Sequence, residues 1–288
     1  MTRHWCRFAV LCALLLAATT VANIAAGTSH AIAATPKVVL SPTSGFVGRT
    51  LTASFSGFPK NRAVTIAWDG KTVATPTSSA VGDGSTSFTI PKAKKGSHKV
   101  TATVGRISAS ATFTVRPSIF ASPSGGTVGR AVNVTLRGYG KGESVAVAWD
   151  STSKKLATVV ASASGSADVQ VTIPPTPGGQ HKLIGAGNTG SQSSMSFRVV
   201  PSIRLSPSRG PAETSVRVAL RGYQAGEQVE IQWRVDGGTQ GLRVVTVGAS
   251  TGSANVTVTV PKGSKPGSYA IVGVGYRVSF AEAPFQVT

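Results

Sequence analysis

The chain has 288 residues, with 29 Lys and Arg against 10 Asp and Glu and only two cysteines. A formal net charge of +19 bears on partners and solubility rather than on fold: anionic envelope polymers, acidic polysaccharide, membrane headgroups and nucleic acid would all be attracted. Both cysteines, Cys6 and Cys12, stand near the start, so the rest of the chain can hold no disulfide, no thiol nucleophile and no cysteine metal site.

In chain order, the first element is an export signal. MTRHWCR is a short basic start, FAVLCALLLAATTVANIAA an apolar run, and Ala31-Ile32-Ala33 a small-x-small cleavage site. This layout predicts a secretory signal peptide over 1–33, cut after Ala33. An uncleaved anchor helix is the alternative; the cleavage site and the polar Thr28, Ser29 and His30 favour removal. Cys12 does not make a lipoprotein site, because Leu11 stands where a small residue is needed. Cleavage leaves 27 basic residues against 10 acidic ones, a net of +17. Such a secreted chain must hold together by core burial alone. No second apolar stretch of spanning length follows, so the mature chain is expected to be extracellular, or held at a cell surface by non-covalent contacts.

Three copies of one unit follow. Ser41-Pro42 returns as Ser122-Pro123 and Ser206-Pro207, Gly57-Phe58 as Gly138-Tyr139 and Gly222-Tyr223, and Trp68 as Trp149 and Trp233. The copies are expected at 34–116, 117–200 and 201–288, with joints at Arg116-Pro117 and Val200-Pro201. Within each the apolar period is two. Leu51, Ala53 and Phe55 alternate with polar residues, as do Val132, Val134 and Leu136, then Val216, Val218 and Leu220. That is a strand with one buried and one wet face. A second run ends on each tryptophan, and further strands are predicted at 85–90, 98–104 and 110–115 and their counterparts. About seven short strands in about 80 residues, separated by Gly, Pro and Ser clusters, make an antiparallel two-sheet sandwich. An odd strand number puts a domain's termini at opposite ends, so an elongated, semi-rigid rod of three sandwiches is expected.

The pattern S-P-x-x-G, G-[FY]-x-x-(G), V-x-[VI]-x-W, P…G-x-[HY], F-x-V resembles bacterial immunoglobulin-like repeats of the IPT/TIG-like kind. The resemblance covers 37–288. It implies a fold, and roles as surface stalks, spacers and adhesive or carbohydrate-associated modules. The chain departs from antibody-type domains in lacking their inter-sheet disulfide. Each repeated residue has a folding reason. Proline fixes φ where the first strand ends, and Gly45, Gly126 and Gly210 are expected to supply turn conformations. Trp68, Trp149 and Trp233 are expected to plug the space between the sheets, and truncating one should cost about 3–5 kcal/mol. Tyr269 resembles a tyrosine-corner residue, with His98 and His181 at the same place in the other copies.

Little points to chemistry. The two histidines beyond the leader lie a domain apart and cannot share a metal, and the acids are spread over three domains, where solvated pairing with arginines is expected. No G-x-S-x-G or phosphate loop occurs. Gly82-Asp83-Gly84-Ser85 lacks the acids of a calcium loop and reads as a turn. No cofactor, metal or catalytic residue is expected.

Two features exceed scaffold. PKAKKGSHK (91–99) packs Lys92, Lys94, Lys95 and Lys99 into one loop and strand start, and the first copy carries 11 basic residues against 2 acidic ones. These lysines are the anion-binding candidates. GYRVSFAEAP (275–284) offers Tyr276, Arg277 and Phe280 as a contact loop, where the second copy has the blander GNTGSQSSM. The competing expectation is that Val278 and Phe280 continue a buried strand face. The charge would also draw nucleic acid, but no aromatic platform or binding motif accompanies it.

The expected function is a non-catalytic scaffold, spacer or adhesion module. Its expected partners are an anionic cell-wall polymer, a polysaccharide or a surface protein. The alternative is a small-molecule binding protein resembling the enediyne-binding apoprotein family, against which the missing cysteines count.

Overall fold

The computed structural model describes residues 35–235 and 237–288. The expected export peptide, 1–33, lies outside the described residues. Among the described residues every regular element is a strand, and each copy contributes eight in the same order. The first has β1 (Lys37–Ser41), β2 (Ser44–Gly45), β3 (Thr50–Ser56), β4 (Thr65–Trp68), β5 (Lys71–Ala74), β6 (Gly84–Thr89), β7 (Gly96–Val104) and β8 (Ile107–Val115). The second has β9 (Ser118–Ser122), β10 (Gly125–Gly126), β11 (Ala131–Arg137), β12 (Ser144–Trp149), β13 (Lys155–Val160), β14 (Ala167–Thr172), β15 (Gly179–Gly187) and β16 (Gln192–Val199). The third has β17 (Ser202–Ser206), β18 (Arg209–Gly210), β19 (Ser215–Arg221), β20 (Gln228–Val235), β21 (Gly238–Thr246), β22 (Ala254–Thr259), β23 (Gly267–Gly275) and β24 (Phe280–Val287).

Each copy is a three-stranded sheet, in the first β1-β3-β6, facing a five-stranded sheet, β2-β8-β7-β4-β5. The sandwich is immunoglobulin-like, and the alternating residues of β3, β11 and β19 supply one wall of each core. The first strand is split. β1 pairs antiparallel with β3 as far as Ser41; beyond Pro42 the chain crosses to the other sheet, where β2 runs parallel to β8. The Ser-Pro bond is cis in all three copies.

This crossing corrects the role expected of Gly45, Gly126 and Gly210. They are not turn residues with positive φ. They form the two-residue parallel strands, where a side chain would crowd its neighbours: a Cβ on Gly210 would lie 2.6 Å from Thr214 Oγ1. The left-handed turn comes three residues later, at Gly48, Gly129 and Glu213.

Trp68, Trp149 and Trp233 close the cores at 5%, 2% and 1% exposure. Each stacks on the residue near the start of the late strand: His98 and His181 at 5.0 Å between centroids, Tyr269 at 4.9 Å. That partner bonds a backbone carbonyl four residues upstream: His98 Nε2 to Lys94 O (2.8 Å), His181 Nε2 to Pro177 O (2.9 Å) and Tyr269 Oη to Lys265 O (3.0 Å). The imidazoles thus do the work of a corner tyrosine. Their Nδ1 atoms face Asp69 (2.6 Å) and Asp150 (2.8 Å), which orient the rings. The indole N–H of Trp149 and of Trp233 finds no acceptor among the described residues, a cost offset by the burial of the rest of the ring.

Candidate functional site

The lysine loop lies at the joint between the first and second sandwiches, and the structure divides its four lysines. Lys92, Lys94 and Lys99 are exposed, with no acid at salt-bridge distance among the described residues. Lys95 is half-buried and committed. Its backbone N–H donates to Tyr139 O (3.1 Å), and its ammonium donates to Thr189 O (3.1 Å) and Oγ1 (2.8 Å) and sits 3.7 Å from Glu143 Oε1. Of the four anion-binding candidates, Lys95 is therefore the one whose ammonium is engaged by the second sandwich.

Glu143 was expected to be solvated and is instead buried, as is Glu227 at the same place in the third copy. Each caps the turn before the last strand. Glu143 accepts from Gly140 N–H (2.6 Å), Thr189 N–H (3.3 Å) and Ser191 Oγ (2.8 Å); Glu227 accepts from Gln224 N–H (3.1 Å) and Arg277 N–H (2.6 Å). Burial alone would raise the Glu143 carboxyl, but the bonds from Thr189, Gly140 and Ser191, with Lys95 beside them, outweigh it and hold it at about 2. Glu227 is lowered in the same way: burial pushes up, while Ser279 and the N–H groups of Arg277 and Gln224 push further down. The signal was present in sequence as Gly142-Glu143 and Gly226-Glu227 after each Gly-Tyr, against Asn61-Arg62 in the first copy. Period-two reading assigns loop acids to solvent and so passes over it.

The contact-loop trio is also divided. Tyr276 is exposed. Arg277 is tied down, its N–H on Glu227 and its guanidinium on Ala225 O (3.4 Å). Phe280, half-exposed, lines a cleft of about 300 Å³ at the second joint with Arg198 and Gln224. The competing expectation of a buried strand face does not hold: Val278 is 84% exposed, and it takes φ 128° where the second copy has Gly190. A β-branched residue in that region is strained.

Among the described residues no cluster of His, Cys, Asp and Glu could hold a metal ion, and no helix is long and apolar enough to cross a membrane. No family model matches the sequence, and no curated protein matches it. Several solved structures are similar. A tetra-tandem repeat from the extending region of a large adhesion protein is 17% identical, covering 88% of this chain and 74% of that one, at a TM-score of 0.29. The Yersinia pseudotuberculosis adhesin InvE is 15% identical over 58% of this chain and 59% of its own, at 0.29. The Bacteroides ovatus glucan-utilization protein SGBP-B, in complex with a mixed-linkage heptasaccharide, is 17% identical over 84% and 64%, at 0.30. At such scores none of them places a ligand on this chain.

Proposed function

We propose that this chain is a non-catalytic module exported to the cell surface, where it serves as a stiff spacer whose first sandwich contacts an anionic envelope polymer. The observation that carries the reading is the set Lys92, Lys94 and Lys99, exposed on one loop and strand start without acidic partners, on a sandwich with 11 basic residues against 2 acidic ones. The second copy's matching loop, PPTPGGQHK, has one lysine, so folding does not require the cluster. Contact of this kind is electrostatic and weakens as salt shortens the screening length.

The spacer half of the reading rests on the joints. Lys95 N–H bonds Tyr139 O at the first, and Gly178 N–H bonds Tyr223 O (2.8 Å) at the second, with a proline in each linker. Repeated backbone bonds of this kind support a lengthwise stack with little freedom to bend.

The test is co-sedimentation of the chain lacking residues 1–33 with isolated cell envelopes, beside a variant with Lys92, Lys94 and Lys99 changed to Ser. The expected result is binding at low salt that is lost both in about 1 M salt, where the screening length is roughly 3 Å, and in the variant. Binding indifferent to both would sink the proposal.

A further inference from the structure

We infer that the cleft at the first joint is a binding site for a carboxylate-bearing polysaccharide, a chain of uronic-acid type. The inference deepens the reading of the molecule as an anion-contacting surface module and rests on it. The cleft holds about 510 Å³ between Phe46 and Arg49 of the first sandwich, the linker residue Arg116, and Phe120, Gln192 and Met195 of the second. A smaller cleft of about 370 Å³ continues it, sharing Arg49 and Phe120 and ending at Arg137. Among the described residues no acid lines either cleft; at the far end Thr135 gives its hydroxyl to Asp168 (2.6 Å).

The internal repeat provides a control. The equivalent positions at the second joint are Thr127 for Phe46, Val200 for Arg116 and Arg204 for Phe120, whereas Arg49 and Arg137 keep their counterparts in Arg130 and Arg221. The matching groove there is present and basic but has no aromatic ring. Folding therefore requires neither phenylalanine, yet both stand 38–39% exposed at the first joint, where apolar surface in water is a cost. The Arg137 guanidinium lies 6.0 Å from the centre of the Phe120 ring and helps to hold it.

The chemistry of the lining selects the ligand. The electron-rich face of a phenyl ring accepts the C–H groups of a pyranose. A guanidinium presents a planar fork that matches a carboxylate in two bonds, and Gln192 and Ser194 can serve hydroxyls. A polymer that alternates sugar faces and carboxylates satisfies rings and arginines together. A polyphosphate would leave the rings unused, and a neutral glycan would leave the arginines unused.

The test measures binding of oligogalacturonate, the same oligomer with its carboxyls reduced to alcohols, polyphosphate and poly-glutamate by calorimetry. It compares the parent chain, the double variant Phe46→Ser with Phe120→Ser, and the Lys92, Lys94, Lys99 variant. Both phenylalanines are partly exposed, and unchanged thermal melting confirms that the double variant folds. Oligogalacturonate should lose about tenfold or more in affinity in the aromatic variant, while polyphosphate binding is unchanged and the reduced oligomer binds neither chain. Oligogalacturonate held equally by parent and aromatic variant would overturn the cleft assignment while leaving envelope sedimentation intact. Poly-glutamate falling as far in the same variant would overturn the sugar assignment in favour of an acidic peptide. Failure of envelope sedimentation with the oligogalacturonate effect intact would instead sink the envelope reading alone.

Discussion

Glu143 shows how one side chain joins local folding to the joint. Its carboxylate collects the N–H groups of Gly140 and Thr189 and the Ser191 hydroxyl, while its outer side meets Lys95 of the preceding sandwich. The folded state holds its pKa at about 2, below the ordinary 4.5. A depressed folded pKa stabilises at pH above the unfolded value, and that stability disappears as pH falls from about 4.5 through about 2. The full shift corresponds to something on the order of 3 kcal/mol. The protection of amides in the turn between β15 and β16, that is their exchange rate relative to the intrinsic rate of an unfolded chain at the same pH, should fall on moving from about pH 5 to about pH 3. In Glu143→Gln the same turn should exchange faster at neutral pH and lose most of that pH dependence. An unchanged pH profile in the variant would show that the carboxylate does not hold the turn.

At the scale of the element, the copies reveal a compensation between strands. Tyr139 places its hydroxyl on Gly185 O (3.2 Å) and Ser193 Oγ (2.6 Å), and a Cβ on Gly185 would lie 2.2 Å from that hydroxyl oxygen. Tyr223 and Gly273 repeat the pair, whereas the first copy has Phe58 and Ala102. The glycine on β15 or β23 is thus the room the phenol needs. Gly187 stands likewise opposite Glu143, where the first copy carries Val104 with Arg62. Gly185→Ala should destabilise the second sandwich by about 1–3 kcal/mol through overpacking. Adding Tyr139→Phe should recover much of that loss, and equilibrium denaturation of the double-mutant cycle measures it. Strictly additive losses would mean that the two positions do not share the space. The strand pattern itself was readable, because alternation such as Val132, Val134, Leu136 follows from the pleat alone. The split first strand was not, because pairing of Gly45 with Val115 joins distant parts of the sequence.

For the whole molecule, the joints decide behaviour. Gly165 and Gly252 take positive φ at the points where the neighbouring loop comes closest: a Cβ would lie 2.8 Å from Lys94 Cα and 2.7 Å from Pro177 Cα. The first joint adds an ion pair to this close approach; the second, with Gly178 in place of Lys95, has none among the described residues. Lys95→Glu should place a second carboxylate beside Glu143 and open the first joint without touching either core. Small-angle scattering should then show a broader distribution of molecular dimensions than the parent, with tryptophan fluorescence unchanged. A distribution identical to the parent's would mean that the ion pair does not restrain the joint.

Three copies, their two-sheet folding and their tryptophan plugs followed from the sequence alone, since landmark spacing and apolar alternation are properties of a single line of residues. The same line singled out the lysine loop as charge that folding does not demand. Only the tertiary structure decided which of those lysines is spent on Glu143, that Glu143 and Glu227 are buried, and that Phe46, Arg116 and Phe120 meet in one cleft. Those facts depend on which loops are brought together, within a copy for Glu143 and Glu227 and across a joint for Lys95 and the cleft, and contacts between such distant residues as Lys95 and Glu143 or Phe46 and Phe120 leave no periodic trace in the chain.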